Sequence, residues 1–354
     1  MVARALLLVL LLSACSKGGA PAPGAAQLAF QHDEAFLHAY KELLPDEMKC
    51  YDPLAVIAMR PGQTWSFAWP EHPEGRIRRA TNGRGFNEDA ETAVEKRGLR
   101  ILVSGDSHTE GVVSNEESFP NVLERFLRAA GRAQAEVLNA GVGYTGPHCY
   151  LGMLRKHLDL APDLFIATLF SGNDFMDDLR VAYLQGLPGE PQPDEAYYAP
   201  LREAEAAWPT PCWQGVNQAY RFKRFPVEAA RALDAVEGSF ADIQDLCSER
   251  GIRLLVVVLP TKYDVDLTEQ RAEFARLAEH LGLTAEEMGM NERLAGELIA
   301  RLKGRGVACL DATPTLRSEK EPAYWRRDHH LSSRGHLKLA ELLLERVEEF
   351  LPPR

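Results

Sequence analysis

The clearest pattern in the chain is a series of short, almost continuous apolar runs that alternate with amphipathic segments from residue 100 onward. Nearly continuous apolar strands are typical of a parallel sheet that is covered by helices on both faces. Runs of this kind predict strands at 100–104, 136–139, 164–170, 253–259 and 307–310. The pattern therefore predicts an α/β domain over residues 99–354, built on a parallel sheet of about five strands.

Amphipathic segments between and after these runs predict helices. Apolar side chains recur at helical spacing in the segments 119–130, 227–250 and 337–350. Gly251 stops the second of these helices, and Ser332 and Ser333 are cap candidates for the third.

Two stretches interrupt the alternation. Residues 27–98 carry proline-rich and charged segments and look like a loosely organised leader that packs on the core. Residues 177–225 are rich in Pro, Tyr and Trp and lie between the third and fourth predicted strands, so we interpret them as an insertion at the edge of the sheet. The insertion is either a cap that shapes a substrate site or a surface excursion without contact with substrate, and the sequence leaves both open.

The first residues form a separate short segment. The apolar run 5–12 is too short to span a bilayer, which takes ~20 apolar residues, but it has the length of a signal-peptide core. The junction Leu12-Ser13-Ala14-Cys15 resembles the lipobox of bacterial lipoproteins, and the alternative is an ordinary signal peptide with an incidental cysteine. The resemblance implies removal of residues 1–14, lipidation of Cys15 and a flexible tether over 15–26.

The predicted lipid anchor implies a place for the protein in the cell. We expect a partner membrane in the cell envelope and a position on the periplasmic face of the outer membrane or at the cell surface. Ser16 after the cysteine, rather than Asp, resembles outer-membrane sorting.

Composition and charge narrow the possible partners. With 45% hydrophobic and 26% charged residues the chain has the composition of an ordinary globular protein. A formal net charge of −11 without a basic stripe argues against a nucleic-acid partner, because nothing would neutralise the phosphates.

The remaining cysteines say little about function. We expect Cys247 and Cys309 to be inert core thiols. Cys50, Cys149 and Cys212 lie in loop-like sequence and could supply one disulfide, whose pairing the spacing leaves open. No cysteine or histidine spacing suggests a zinc site.

Small polar motifs follow the ends of successive predicted strands. The first strand ends in Gly-Asp-Ser-His-Thr-Glu-Gly over 105–111, the second in Asn-Ala-Gly-Val-Gly-Tyr-Thr-Gly over 139–146, and the third in Ser-Gly-Asn-Asp over 171–174. A fourth motif, Arg-Asp-His-His-Leu over 327–331, precedes the last helix. Open α/β sheets bind ligands at the carboxyl ends of their strands, so we expect these motifs to converge there.

In this order, the four motifs resemble the sequence blocks of the SGNH (or GDSL) hydrolase family over about residues 100–351. The stretch 81–86, Thr-Asn-Gly-Arg-Gly-Phe, also resembles a lead-in seen in lipoprotein members of that family. The resemblance implies a three-layer α/β/α sandwich of the flavodoxin-like type, acting on esters without any cofactor.

The resemblance also implies a catalytic triad. Ser107 matches the nucleophile, which needs an adjacent base because a neutral serine is a poor nucleophile. His330 matches that base, and Asp328 matches the carboxylate that orients the imidazole ring. The usual last block has two residues between Asp and His, whereas this chain has one, so His329 is the alternative base. The shorter spacing also occurs in some lipoprotein and acetyltransferase-like relatives.

The same resemblance implies an oxyanion hole. It combines the backbone N–H of Ser107, a glycine N–H from the second block and the side-chain amide of Asn173. Gly143 is the expected glycine, with Gly141 as the alternative because this block is one residue short.

Two other functions compete with this interpretation. The motifs at 106–108, 172–174 and 328–330 could hold the metal ions of a phosphoesterase, but then Ser107 has no role and a bridging aspartate block is missing. The fold could also serve as a non-catalytic binding module of the envelope. Among enzymatic functions, hydrolysis and acyl transfer share an acyl-serine, and O-acetylated polysaccharide, peptidoglycan or lipid esters are the accessible substrates.

Overall fold

The structure is a computed structural model that describes residues 48–265 and 270–351. The predictions for the signal peptide, for lipidation of Cys15 and for the tether lie outside the described residues, as does the first part of the predicted leader.

Two antiparallel hairpins precede the central sheet. In the first, β1 (Lys49–Asp52) pairs with β2 (Val56–Met59), and in the second, β3 (Thr64–Ala68) pairs with β4 (Arg76–Ala80). The described part of the leader is therefore more ordered than the sequence predicted. The buried strand β2 packs against the main core of the domain.

A five-stranded parallel sheet forms the centre of the domain. Its strands are β5 (Arg100–Gly105), β6 (Glu136–Asn139), β7 (Leu164–Phe170), β8 (Arg253–Leu259) and β9 (Ala308–Asp311). Each lies within one residue of its predicted bounds. The order across the sheet is β6-β5-β7-β8-β9, the flavodoxin-like arrangement.

The helices follow the strands in the alternation that the sequence predicted. In chain order they are α1 (Ser107–Glu110), α2 (Phe119–Ala129), α3 (Pro147–Lys156), α4 (Asp174–Leu184), α5 (Glu195–Ala207), α6 (Pro209–Pro211), α7 (Asn217–Arg224), α8 (Pro226–Arg250), α9 (Lys262–Val265), α10 (Arg271–His280), α11 (Ala285–Met288), α12 (Met290–Gly304), α13 (Thr313–Arg317) and α14 (Ser333–Val347). Gly251 ends α8 in a left-handed conformation, and the Ser332 hydroxyl accepts the N–H of Gly335 to cap α14.

The helices bury the sheet on both faces, which confirms the predicted α/β/α sandwich. Along β5, Ile101 and Val103 face a core formed with α2 and α14, whereas Leu102 faces a second core formed with α3, α4, α8 and α12. Alternate side chains of a strand point to opposite faces. A strand covered on both faces must therefore be apolar throughout, as β7 is.

The segment predicted as an insertion is mostly helical. It contains most of α4, then α5, α6, a kinked turn over Cys212–Val216, and α7. Of these elements, α5, the kinked turn and α7 share a small apolar core with α10, in which Tyr197, Tyr220 and Phe274 are buried, whereas α4 packs in the core around the sheet.

The disulfide that Cys50, Cys149 and Cys212 could have supplied is not formed: the five cysteines among the described residues are all free. Cys50 lies on β1, Cys149 on the buried helix α3 and Cys212 in the kinked turn, rather than in loops. Cys149 and Cys212 belong to different apolar cores. Burial raises the pKa of Cys212 and of Cys247 to about 12, as expected of inert thiols.

None of the helices over residues 48–265 and 270–351 is long and apolar enough to cross a membrane.

Candidate active site

Ser107 stands where β5 turns into the short helix α1. The turn is tight because Gly105 packs directly against it: a Cβ at Gly105 would lie 2.1 Å from the hydroxyl of Thr109. Asp106 caps α1 by accepting the N–H of His108 at 2.9 Å. Ser107 therefore occupies the first helical position, where a backbone N–H has no acceptor within the helix.

The structure brings Ser107, His330 and Asp328 into one hydrogen-bonded line. The distance between His330 Nε2 and Ser107 Oγ is 2.8 Å, and that between His330 Nδ1 and Asp328 Oδ1 is 2.6 Å. The backbone N–H of His330 also donates to Asp328 Oδ1. Of the two neighbouring histidines, it is His330 that bonds to Ser107, while the ring of His329 packs on the ring of His330.

The ionised form of Asp328 is stabilised by its partner, His330. Burial raises the pKa of this carboxyl, but the charge of His330 and their hydrogen bonds outweigh burial and hold the pKa of Asp328 well below its ordinary value. The carboxylate is therefore ionised at neutral pH and holds the imidazole ring of His330 with Nε2 towards Ser107.

The loop that carries His330 is held by distant segments. The Glu71 carboxylate, between β3 and β4, accepts the backbone N–H groups of Arg326 and Arg327 at 2.6 and 2.8 Å. Gln214 donates from Nε2 to the carbonyl of His329 and accepts the N–H of Lys262 at 2.7 Å. The leader and the insertion thus both fix the position of the catalytic loop.

A glycine in the insertion makes the Gln214 contact possible. Gly215 has a φ of 87°, and a Cβ there would lie 2.3 Å from Asn291 Nδ2 and 2.8 Å from Gly172 Cα. Only glycine fits this close approach without strain. The resulting kink in the turn over Cys212–Val216 coincides with the buried Gln214.

Asn173 lines the pocket in front of Ser107 and stands at the first residue before α4. Its Nδ2 donates one hydrogen to Asp177 Oδ2 at 2.7 Å. An amide nitrogen carries two hydrogens, so a second remains for an oxyanion. Burial raises the pKa of Asp177 to about 6, and Arg180 and Asn173 limit that rise.

The expected role of Gly143 as an oxyanion donor is contradicted by the hydrogen bonding. Gly143 lies beside Ser107, but its N–H donates to Glu110 Oε2 at 2.6 Å. The alternative, Gly141, donates its N–H to Asn139 Oδ1 at 3.0 Å. Both N–H groups are already satisfied, and the glycines serve close packing instead: a Cβ at Gly141 would lie 2.2 Å from the backbone nitrogen of Glu110.

Glu110 is a component of the site that the sequence analysis missed. Its buried carboxylate also pairs with Arg79 at 2.6 Å and Lys49 at 3.2 Å. Burial raises the pKa of Glu110, but the two cations and the Gly143 N–H outweigh it and lower that pKa to about 2. The available signal was a glutamate three residues after the nucleophile, whereas its cations come from the leader and could not be paired with it by spacing.

The site opens into a cavity of about 470 Å³, here called the acyl pocket. Besides Ser107, His330 and Asn173, it is lined by Tyr144, Met176 and Trp213, among others. Trp213 and Asn217 come from the insertion. The structure therefore favours the first of the two interpretations left open by the sequence, a cap that shapes the site.

Trp325 precedes the catalytic loop and does not line the acyl pocket. It is buried, and its ring nitrogen donates to the carbonyl of Val112 at 2.9 Å. Its role is to fix the start of the catalytic loop.

The remaining histidines of the pocket are held neutral. Burial lowers the pKa of His108 well below its ordinary value, and burial followed by the charge of His330 lowers that of His329 to about 3. The donor atoms of Asp328, His329 and His330 lie within 4.8 Å of one another, a spacing that a metal ion would accept. Both ring nitrogens of His330, however, are engaged by Asp328 and Ser107.

At the carboxyl edge of the parallel sheet, a serine is hydrogen-bonded to a histidine, and the histidine is hydrogen-bonded to a carboxylate. This is the arrangement of serine-dependent enzymes that act on ester bonds. Residues 220–352 match the family model described as an SGNH hydrolase-like domain, acetyltransferase AlgX. Residues 220–352 are thus similar to an SGNH hydrolase-like domain, in agreement with the family that the motifs of the chain resemble. The matched stretch includes Asp328 and His330, while Ser107 and Asn173 precede it.

Similar solved structures include an acetyl xylan esterase, a GDSL-like lipase from Bacteroides thetaiotaomicron and a lipase/acylhydrolase from Enterococcus faecalis. Their sequence identities to this chain are 15%, 13% and 15%, and their TM-scores are 0.42, 0.39 and 0.39. The matches cover 70%, 73% and 72% of this chain and 100%, 93% and 98% of those chains. Likeness at this level assigns no substrate. No curated protein matches the sequence.

Proposed function

We propose that the protein transfers an acyl group from an envelope ester to water or to a sugar hydroxyl through an acyl-serine at Ser107. The observation that carries the proposal is the continuous line of hydrogen bonds from Ser107 Oγ through His330 to Asp328. In this scheme Ser107 is the nucleophile, His330 the general base and acid, and Asp328 the group that orients and charges the imidazole.

The reaction proceeds in two halves: Ser107 is acylated in the first and regenerated in the second. Ser107 Oγ attacks the ester carbonyl while His330 Nε2 takes the hydroxyl proton, and that proton then leaves with the alcohol as the ester C–O bond breaks. In the second half, His330 removes a proton from water or from an acceptor hydroxyl, which attacks the acyl-serine. The free acid or the new ester departs, and the proton returns to Ser107.

The negative charge on the carbonyl oxygen needs donors that are already in place. We assign this role to the backbone N–H of Ser107 and to the second amide hydrogen of Asn173. Removing one such donor from an oxyanion hole lowers turnover by ~100 to 1,000-fold. The bond between Asn173 and Asp177 holds the amide at the pocket wall.

Short acyl groups on a glycan suit the acyl pocket better than long chains. The pocket wall carries Lys49, Glu110 and Asp177 besides the catalytic residues, and sugar hydroxyl groups match such polar side chains better than the methylene groups of a long acyl chain do. Tyr144 and Trp213, both exposed, offer ring faces for a sugar. The name of the matched family model also refers to an acetyltransferase. We therefore propose O-acetylated polysaccharide as the substrate class ahead of lipid esters.

Steady-state kinetics with p-nitrophenyl acetate tests the proposal. Ser107→Ala and His330→Ala should each abolish turnover in a folded protein, and the double variant should lose little more because the two residues act as a unit. His329→Ala is the control and should stay within about tenfold of wild type. An active His330→Ala beside an inactive His329→Ala would move the base by one residue. Turnover that needs an added divalent metal would favour the phosphoesterase alternative.

We also propose that the protein is anchored in the envelope by lipid on Cys15, a proposal that rests on the lipobox resemblance. The wild-type protein should partition with membranes after cell fractionation and carry acyl chains on Cys15, whereas Cys15→Ala should not be processed. Native protein released into the medium with residue 1 intact would contradict the anchor.

A further inference from the structure

A second cavity adjoins the acyl pocket. It has a volume of about 370 Å³ and lies among α4, α5, α7 and the loop that leads into α5; we call it the distal pocket. Met176 and Asp177, in the first turn of α4, line both cavities. A ligand held at Ser107 could therefore continue past Asp177 into the distal pocket. Each cavity is within the size range of small-ligand sites.

The walls of the distal pocket combine apolar side chains with polar and charged ones of both signs. Arg180 and Glu190 contribute opposite charges, Gln192 contributes an amide, and Arg221 is already paired with Glu228 at 2.7 Å. The side chain of Arg180 makes no hydrogen bond or ion pair with any residue in 48–265 or 270–351. Such a wall suits a neutral ligand with many hydroxyl groups, because amide and guanidinium groups donate to hydroxyl oxygens while carboxylates accept from them. An acyl chain would leave the same groups desolvated.

The exposed aromatic residues lie at the same two cavities. Among the described residues, the exposed large aromatic side chains are Tyr144, Tyr198 and Trp213. Tyr144 and Trp213 line the acyl pocket, and Tyr198 lines the distal pocket. An exposed aromatic ring presents an apolar face with a polar tip, which matches the C–H face and the hydroxyl edge of a sugar ring. The Tyr198 ring makes a T-shaped contact with the ring of Tyr197, whose centroid lies 5.1 Å away.

We propose that the distal pocket binds a further sugar unit of the same glycan chain that carries the ester at Ser107. The inference rests on the proposed acyl transfer and specifies its substrate as an uncharged oligosaccharide or polysaccharide rather than a single sugar. Tyr198 is the platform for the distal unit, and Arg180 is a hydrogen-bond donor to its hydroxyl groups.

The test compares substrates of increasing length. The probes are chemically acetylated xylo- and chito-oligosaccharides of one, two and four units, with p-nitrophenyl acetate as the ester that is too small to reach the distal pocket. For wild type, kcat/KM should rise about tenfold from one unit to four, the effect of one added hydrogen bond to a charged donor. We define the length ratio as kcat/KM for the four-unit substrate divided by kcat/KM for p-nitrophenyl acetate. Tyr198→Ala and Arg180→Ala should each lower this ratio about tenfold, because KM for the four-unit substrate rises.

Two control variants sharpen the comparison. Tyr198→Phe keeps the ring and should keep most of the length dependence. Arg202→Ala removes an exposed arginine of α5 that pairs with Glu195 and lines neither pocket, so it should leave the ratio unchanged.

The outcomes separate this inference from the proposed function. Suppose that wild type cleaves p-nitrophenyl acetate through Ser107 but has the same kcat/KM for one and four sugar units in both series, or cleaves neither series. The proposed acyl transfer then stands, and the distal pocket is not a sugar site. An equal ratio for Tyr198→Ala and wild type would overturn the platform. If Ser107→Ala retains full esterase activity, the proposed function itself fails.

Discussion

Glu110 shows how much of the site depends on a single residue outside the expected triad. Its carboxylate joins the helix that carries Ser107 to the loop at Gly143 and to the two leader cations Lys49 and Arg79. The carboxylate is buried, so without it the buried cations would lose a close counter-charge. Removing one partner of a buried ion pair costs about 3–5 kcal/mol.

The first prediction is that Glu110→Gln destabilises the protein by ~3 kcal/mol, although the new amide oxygen can still accept the Gly143 N–H. Chemical denaturation followed by circular dichroism measures the effect. The double variant Lys49→Met/Glu110→Gln restores the wild-type net charge of the cluster and should recover part of the loss. A single variant as stable as wild type would show that the cluster contributes little to stability.

Asp106 supplies a second prediction at this scale, through pH. Burial raises the pKa of Asp106 from 3.8 to about 7. Because the folded-state pKa lies above the unfolded value, the ionised form costs stability, and this cost grows as pH rises from about 4 to about 7. Asp106→Asn removes the charge but keeps an acceptor for the His108 N–H. The variant should therefore exceed wild type in Tm at pH 8, by a margin that is clearly smaller at pH 5.

The matched control for that pH series is Asp194→Asn. Asp194 is also a helix cap that accepts a backbone N–H, but it is exposed. Its variant should show no margin that grows with pH. A margin for Asp106→Asn that is equal at pH 5 and pH 8 would contradict the buried charge.

Some contacts of single residues could be predicted from the sequence and others could not. Asp328 and His330 could be paired from sequence because residues two apart in an extended loop point to the same side. The N–H of Gly143 could not be assigned, because its acceptor lies 33 positions earlier and is oriented by cations from the leader. Tertiary packing, not the glycine motif, decides where that N–H donates.

At the scale of elements, the catalytic loop is positioned by segments that precede it by more than 100 residues. Glu71 holds the backbone of Arg326 and Arg327, and Gln214 holds the carbonyl of His329. Neither side chain bonds to the triad, so both act as positioning residues. A displacement of about 1 Å at a reacting group can cost ~100-fold in rate.

The third prediction is that Glu71→Ala and Gln214→Ala each lower kcat about 10 to 100-fold while KM for p-nitrophenyl acetate changes by less than about threefold. Glu91→Ala is the matched control, because Glu91 also accepts a backbone N–H in the leader, that of Gly83. It should leave kcat unchanged. Variants that raise KM and keep kcat would instead place Glu71 or Gln214 in substrate binding.

The elements differ in how well the sequence predicts them. The strands of the sheet were predicted within one residue because burial on both faces leaves a continuous apolar run. Helices α5 and α7 of the insertion were not, because apolar residues such as Tyr197 and Tyr220 pack on α10, about 50 to 75 positions further along the chain. The leader hairpins were missed because charged residues such as Arg76, Arg78 and Arg79 interrupt the apolar alternation of β4.

At the scale of the whole molecule, the fold determines where the chemistry can occur. In the strand order β6-β5-β7-β8-β9, the connections that follow β5 and β7 lead to opposite faces, which leaves a crevice between the carboxyl ends of these two strands. Ser107 follows β5 and Asn173 follows β7. The nucleophile and its amide donor therefore meet at that crevice, while the leader and the insertion complete it from outside the sheet.

The most direct test of the central claim is labelling with a fluorophosphonate, which reacts only with an activated serine. Mass spectrometry of the intact, folded protein and of its peptides should find one adduct, on Ser107. The adduct should be absent in Ser107→Ala, strongly slowed in His330→Ala and less slowed in Asp328→Ala. An adduct on another residue, or labelling of His330→Ala at the wild-type rate, would contradict the assignment of Ser107 and His330 as nucleophile and base.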